Sequence, residues 1–296
     1  MTELDLLILG AGWTSTFLIP LAQSHGIYFA ATTTTGRPIP GKDGDVPTIP
    51  FKFDPSAPEE ETRTAIASLP RAKTVLVTFP LTGNGPNKLL IEAYTCTHQT
   101  SAATTATEFR FVQLGSTGIW QNNGQTFTSD SSPWVDRHSP YNTANPRAIA
   151  EEELLSLGGC VLNLSGLWGG QRDPKSWIPR VAATKEQVKG KKSLHLIHGE
   201  DVARAILAVT SASNEKWDEA GKGQRWMLTD GFVYDWWALL AGWAKEASLQ
   251  VRWVWELMEE EGVRALPRSM ETLGRAYDAR EFWRKWGVEP LKGGAW

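Results

Sequence analysis

The stretch LDLLILGAGWTSTFLIPLAQ, residues 4–23, narrows the folds open to this chain more than any other. Leu4–Leu9 is a continuous apolar run, as in a strand covered on both faces. Gly10-Ala11-Gly12 follows, and then a segment with helical spacing. In a strand–turn–helix unit of this kind, the first glycine permits a tight turn. The second lets the backbone approach a pyrophosphate, and the helix start offers free N–H groups and the positive end of a dipole. Ser15 stands where a dinucleotide-binding turn has its third glycine. That position must be small for helix and strand to pack, and serine is small. Pro20 falls inside the helix and removes one of its hydrogen bonds. Gly10, Gly12, Trp13, Thr14 and Ser15 are therefore the first candidate cofactor-binding residues.

The same strand–helix alternation continues downstream. Apolar runs at Ile27–Thr32, Thr74–Phe79, Phe109–Leu114 and Cys160–Leu164 predict strands, with a weakly alternating one at Thr48–Phe53. Helices are predicted after Pro58, where Glu59-Glu60-Glu61 suits the dipole, over Pro86–Ala103, and from Asn145-Pro146 to Leu157. Residues 115–145 form a long polar loop. Alternation of this kind predicts an α/β fold, a doubly wound parallel sheet of the Rossmann-like type, which binds ligands at the carboxyl ends of its strands. Residues 1–165 are expected to form the dinucleotide-binding domain, with parts of 190–215 packing on it. Residues 166–296 are expected to form a smaller substrate lobe with C-terminal helices. There, helices are predicted at Ser176–Thr184, Gly199–Val209, Asp235–Glu246, Val263–Leu273 and Asp278–Trp286, and strands at Leu194–Ile197 and Gln224–Leu228. Asp278 and Glu281 have capping-box spacing, WDEAGKGQRW (217–226) reads as a solvated connection, and the tail LKGGAW reads as loosely held.

Composition excludes several classes. A net charge of −3 provides no basic footprint for nucleic acid. Cys96 and Cys160 have no paired spacing, which argues against a disulfide framework or zinc knuckle and for a reducing, cytoplasmic setting. No apolar run approaches the ~20 residues needed to cross a bilayer. Glu3 and Asp5, with no basic residue among the first eight, argue against a secretory signal. The 15 tryptophans read as core filling. His195 and His198 are three apart on a predicted strand and point to opposite faces, so no metal site is assigned; His198 and Asp201 are read as fixing the substrate loop to the next helix.

The end of the second strand selects the cofactor. An acidic residue there would bind the ribose of NAD, and an arginine would accommodate the phosphate of NADP. The run is Thr32-Thr33-Thr34-Thr35-Gly36-Arg37, with no carboxylate before Asp43. Thr33 and Arg37 favour NADP(H) over NAD(H).

Four stretches together resemble the extended and atypical short-chain dehydrogenases/reductases, the NAD(P)-dependent epimerase/dehydratase superfamily: LILGAGWTSTFL, VLVTFPLTGNGP (75–86), FVQLGSTGIW (111–120) and LHLIHGEDVARAIL (194–207). The likeness runs from residue 4 to about 210. It implies that Phe79 and Pro80 border the cofactor. It also implies a catalytic Ser/Thr with tyrosine and lysine at Tyr-x-x-x-Lys spacing. Ser116 matches the Ser/Thr position, with Thr117 beside it, and Trp120 stands where many members have a substrate-bordering tyrosine. The Tyr/Lys motif departs from the pattern. Aligned on the helix and Glu151, Thr143 and Arg147 fill the two positions; aligned on Ser-Pro-Tyr, Tyr141 and Asn145 fill them. Neither register holds a lysine. Tyr141 is the candidate proton donor and Arg147 the candidate cation, since a phenol of pKa ~10 needs a nearby positive charge to serve. Trp168 and Arg172, in GLWGGQRDP (166–174), are candidate substrate-lining residues. The expected function is oxidation, reduction or epimerisation of a small carbonyl or alcohol by a monomer or homodimer. The alternative is a cofactor-binding sensor or scaffold without turnover.

Overall fold

The computed structural model describes residues 3–99, 109–121 and 133–294. Seven strands form the main sheet: β1 (Leu4–Leu9), β2 (Phe29–Thr33), β3 (Ile49–Pro50), β4 (Ala72–Val77), β5 (Arg110–Ser116), β6 (Cys160–Leu164) and β7 (Arg225–Leu228). Their order across the sheet is β7-β6-β5-β4-β1-β2-β3, and every neighbouring pair is parallel. The order reverses at β1, and the glycine turn follows that strand directly, at the crevice where doubly wound sheets take ligands. The predicted α/β doubly wound sheet is therefore the observed one.

Four helices follow successive strands: α1 (Ser15–Ser24), α2 (Glu59–Ala67), α3 (Pro86–His98) and α4 (Pro146–Ser156). Helix α1 packs on the helix Gly199–Thr210 over one face, where Leu6, Ile8, Leu18, Ile19, Val202 and Ile206 form a continuous core. On the other face α2 packs on α3 and α3 on α4, over Leu7, Leu9, Val75, Leu90 and Leu154. Burial on both faces is why the strands read as unbroken apolar runs. The helix α4 begins as its sequence dictates, with Asn145 Oδ1 accepting the Arg147 N–H (2.9 Å) and Pro146 in the first turn.

Beyond residue 165 the chain builds a third apolar cluster, with Trp236, Trp237, Trp243, Leu257 and Met258, and it also returns to the sheet as β7. Trp217, Trp226, Trp283 and Trp286 are buried too, so most of the tryptophans in this part fill core. Several local expectations are corrected. The predicted helix at Ser176–Thr184 is broken into short pieces, Pro174–Trp177 and Ile178–Val181, with Lys185–Lys189 beyond. Val263–Leu273 is helical only at Met270–Leu273, while a 13-residue helix, Ser248–Glu260, stands where none was predicted. In WDEAGKGQRW, Trp217 and Trp226 are buried, not solvated. The Asp278/Glu281 capping box does not form: Asp278 pairs with Arg280, and Glu281 with Arg137 and His138. The described part of the tail, through Gly294, is held, and Ala295 and Trp296 lie outside the described residues. Asp201 accepts the N–H groups of Leu291 (2.8 Å) and Lys292 (3.0 Å), and Tyr234 Oη accepts that of Gly294 (2.9 Å). No described helix is long and apolar enough to cross a membrane.

Candidate functional site

The turn after β1 is clamped from two sides. Thr32 Oγ1 accepts the Gly10 N–H (3.0 Å), the Thr32 carbonyl accepts the Ala11 N–H (2.6 Å), and the Thr78 hydroxyl donates to the Gly10 carbonyl. Gly10 sits at φ +86°, where a Cβ would lie 2.8 Å from the Phe79 ring, so both conformation and space demand glycine. Gly12 is different. A Cβ there would meet nothing nearer than the Gly10 carbonyl at 3.8 Å. The N–H groups of Gly12, Trp13 and Thr14 meet no acceptor among the described residues. Successive free amides on one turn form a concave anion site. Ser15 is fully buried, as its packing role requires.

A cavity of about 400 Å³ opens over this turn at the carboxyl ends of β1, β4, β5 and β6. Gly10, Gly12, Trp13 and Thr14 line one part of it, Phe79 and Pro80 another, and Ser116, Arg147 and Ser165 a third. Arg172 closes over the turn: its guanidinium lies 4.5 Å above the Trp13 ring, and the Trp13 indole N–H donates to the Gly169 carbonyl (3.1 Å). The sequence-derived candidates Gly10, Gly12, Trp13, Thr14, Phe79, Pro80, Ser116, Arg147 and Arg172 thus share one cavity. Among the described residues the lining holds two guanidiniums and no carboxylate, phenol or imidazole.

Behind Ser116 lies a buried polar network. Glu151, with no exposed surface, accepts from the Asn163 amide (2.9 Å to each oxygen) and from the Ser116 N–H (3.4 Å). Arg225 Nε stands 3.3 Å from its carboxylate. Burial pushes the Glu151 carboxyl up in pKa, against the pull of Asn163 and Arg225. The Ser116 hydroxyl accepts the Gly118 N–H (3.1 Å) and stays on the cavity wall.

The structure moves the other candidates away. Tyr141 is outside the lining: its hydroxyl donates to the Glu152 carboxylate, and the Arg225 guanidinium lies 4.5 Å from its ring. Burial is the first cause of its raised pKa. Proline at the first position of α4 starts the helix only after Asn145, so Tyr141 precedes the helix and turns toward β7. Trp120 is buried, its indole donating to the Ser139 carbonyl (3.0 Å). Thr117 is buried, and its hydroxyl faces the Leu164 carbonyl at 3.4 Å. Trp168 packs on His198, ring centres 4.6 Å apart. None of these three lines the cavity.

His198 Nδ1 accepts the Glu200 N–H (3.2 Å) and so caps the helix Gly199–Thr210. Asp201 instead holds the tail. His195 Nε2 accepts the Tyr277 N–H (3.0 Å), and burial lowers its pKa to about 3. Among the described residues no cluster of His, Cys, Asp and Glu could hold a metal ion. At the end of β2, the Thr33 hydroxyl bonds Thr48 Oγ1 (2.8 Å), and Thr48 bonds the Arg37 carbonyl (2.7 Å). These bonds shape the loop and leave Arg37 exposed, outside the cavity wall.

The chain matches solved structures over nearly its whole length. A protein from Methylobacillus flagellatus described as an NAD-dependent epimerase/dehydratase aligns with a TM-score of 0.60 at 14% identity, covering 98% of this chain and 94% of that one. The Thermus thermophilus UDP-glucose 4-epimerase in complex with NAD aligns at 0.56 and 14% identity, covering 98% and 95%. RMD from Pseudomonas aeruginosa complexed with NADPH aligns at 0.53 and 14% identity, covering 97% and 95%. The fold is that of the NAD-dependent epimerases and dehydratases. No family model matches the sequence, and no curated protein matches it either.

Within this epimerase/dehydratase fold the residues present suit a dinucleotide. The turn offers three unengaged amides, the Gly12 Cβ position is open, and the Arg172 guanidinium over Trp13 can pair with a diphosphate. Three contributors escaped the sequence reading. Thr32 and Thr78 clamp the turn, and Ser165 places a buried hydroxyl with no hydrogen-bond partner on the cavity wall. Each is a hydroxyl in the last residues of a core strand or just past it, the one signal that could have found them.

Proposed function

We propose that the protein binds a nicotinamide dinucleotide over the Gly10–Thr14 turn, with NADP(H) preferred to NAD(H). We further propose that it is an oxidoreductase or epimerase acting on a small carbonyl or alcohol. The observation that carries this reading is that the unengaged amides of Gly12, Trp13 and Thr14 line the same cavity as Ser116 and Arg147. The complexes of similar fold with NAD and with NADPH support it. Gly12, Trp13, Thr14 and Arg172 would hold the diphosphate, and Phe79 and Pro80 would flank the adjoining ribose. Exposed Arg37, at the end of β2, would take a 2′-phosphate. When bound, the dinucleotide supplies or accepts hydride at a substrate carbon. The Ser116 hydroxyl and the Arg147 guanidinium would hold the substrate oxygen and stabilise negative charge on it. Among the described residues the wall carries no phenol, imidazole or carboxyl, and in this reading the Ser116 hydroxyl would pass a solvent proton to that oxygen. The reading extends to a cytoplasmic protein that acts on a small molecule, as a monomer or homodimer, and not on nucleic acid or membrane.

A second reading, a dinucleotide sensor or scaffold without turnover, is favoured by one observation: Tyr141 is engaged by Glu152 and Arg225, away from the cavity. Two measurements test the pair. In titrations followed by tryptophan fluorescence, NADPH should bind at least about tenfold more tightly than NADH, the order expected for one charge-assisted contact. Arg37→Ala should erase the difference. Tighter NADH would refute the phosphate assignment, and binding of neither would refute the whole reading. Turnover across a panel of aldehydes, ketones and alcohols supports the enzyme; tight binding with no turnover supports the sensor.

A further inference from the structure

Among the described residues the cavity wall carries two positive charges and no negative one, and the two belong to different parts of it. Arg172 belongs to the glycine turn: it is stacked on Trp13, and its loop is closed by the reciprocal Gly169–Arg172 backbone bonds (2.9 and 3.0 Å). Arg147 belongs to the Ser116 side. It lies four residues before Glu151 on α4, so the two share a helix face, and that face reaches the Ser116 N–H through the Glu151 carboxylate. Glu151 is itself occupied by Asn163 and Arg225. The Arg147 guanidinium is exposed and makes no ion pair with a described residue.

Two hydroxyls complete this end. Ser116 pairs in register with Leu164, the last residue of β6, so Ser165, just past that strand, is its near neighbour. Ser165 is 6% exposed, and its hydroxyl has no hydrogen-bond partner. A buried hydroxyl left without a partner costs free energy unless a ligand engages it. One fork of guanidinium donors and two hydroxyls, with no charged acceptor, match a carboxylate next to a carbonyl or hydroxyl oxygen. Arginine takes a carboxylate through two parallel N–H···O bonds, and the hydroxyls remain for the adjacent oxygen. A neutral ketone would use one hydroxyl and leave the guanidinium without a counter-charge.

The geometry points to a substrate that is a small 2-oxo or 2-hydroxy carboxylate, its carboxylate held by Arg147 and its neighbouring oxygen by Ser116 and Ser165. This inference rests on the dinucleotide reading, because the glycine-turn part of the cavity and Arg172 are assigned to the diphosphate. A bound reduced nicotinamide would supply the hydride that turns a 2-oxo acid into its 2-hydroxy acid, with Ser116 passing a solvent proton to the oxygen and Arg147 holding the carboxylate.

The test uses the intact protein saturated with NADP+, the oxidised form, which cannot reduce a 2-oxo acid during the titration. Calorimetric titration compares 2-oxo acids of three to six carbons with their methyl esters, which keep the carbonyl and lose the charge. At least one acid should bind about tenfold or more tightly than its ester, the order expected for a charge-assisted pair. Arg147→Met should abolish that preference with an unchanged melting temperature, and Arg147→Lys should keep part of it. Arg172→Met should weaken NADPH and leave the preference in place. If no acid outbinds its ester, if the preference survives Arg147→Met, or if glycerone phosphate outbinds every acid, the inference is overturned while the dinucleotide reading stands. If the wild-type protein binds no NADPH at all, that reading falls and takes this inference with it.

Discussion

Replacing Gly12 with valine separates binding from folding. The added Cβ would have only the Gly10 carbonyl within reach, at 3.8 Å, and the φ of Gly12 lies outside the left-handed region, so the apo-protein accommodates the side chain. Its unfolding free energy should change by no more than about 1 kcal/mol, the scale of a glycine replaced at a compatible position. Gly12 is nonetheless exposed on the cavity wall, the first of three successive free amides. A branched side chain there holds a diphosphate off the turn. Losing two amide contacts, each about 1.5–3 kcal/mol when the acceptor is charged, removes roughly 3–6 kcal/mol, or about 10²–10⁴-fold in NADPH affinity. The control is Gly10→Ala. There φ is +86° and the Cβ would lie 2.8 Å from Phe79, so strain of about 1–2 kcal/mol plus displacement of Phe79 should lower the melting temperature. Thermal melting and NADPH titration on both variants decide the matter. NADPH bound by Gly12→Val within threefold of wild type would mean that the diphosphate does not lie over this turn.

Tyr141→Phe should leave NADPH affinity and any turnover unchanged, because its hydroxyl serves Glu152 and not the cavity; a turnover loss above tenfold would return Tyr141 to the mechanism. Arg225→Met should destabilise the fold by about 3–5 kcal/mol, since it strips the buried Glu151 of its cationic partner; a urea midpoint close to wild type would contradict that role. Burial holds the Asp230 carboxyl at about 6, above its ordinary 3.8. An acid weakened by folding contributes stability that is complete below pH 3.8 and lost as pH rises through about 6. Wild type should therefore lose melting temperature relative to Asp230→Asn between pH 4 and pH 7; a constant difference over that range would show that the carboxyl is not so shifted.

The sheet and the glycine turn were legible because their signals are local. Unbroken apolar runs, two glycines and a helix start marked by Asn145-Pro146 act within a few residues. The last third was not. Ser248–Glu260 mixes valine, tryptophan and charge, and becomes helical because Val254, Leu257 and Met258 find the third apolar cluster. The predicted helix at 263–273 fails at Pro267-Arg268, where Arg268 is buried in an ion pair with Asp235 at 2.7 Å, a partner 33 residues away. The candidate site divides the same way. Ser116 and Arg147 follow from the ends of a strand and a helix, and both reach the cavity. Tyr141, Trp120 and Trp168 were placed by their positions in family-like segments, and tertiary neighbours hold them off the cavity wall: Glu152 and Arg225 for Tyr141, Ser139 for Trp120, His198 for Trp168.

The first turns of the four helices that follow β1–β5 differ in whether they can greet an anion. Helix α2 supplies its own Glu59, Glu60 and Glu61. Helix α3 is closed by the Glu153 carboxylate, which accepts from Gly85 (2.6 Å), Asn87 (3.0 Å) and Lys88 (3.3 Å). Helix α4 is closed by Asn145. Only α1 has neither an acidic first turn nor a side-chain cap. An elongated ligand with a charged middle and two unlike ends would therefore find a single place for that middle. Its direction along the sheet edge would be set before either end is recognised. The protein's own side chains, carboxylates at α2 and α3 and the Asn145 amide at α4, close the other three starts and would act as a polarity key.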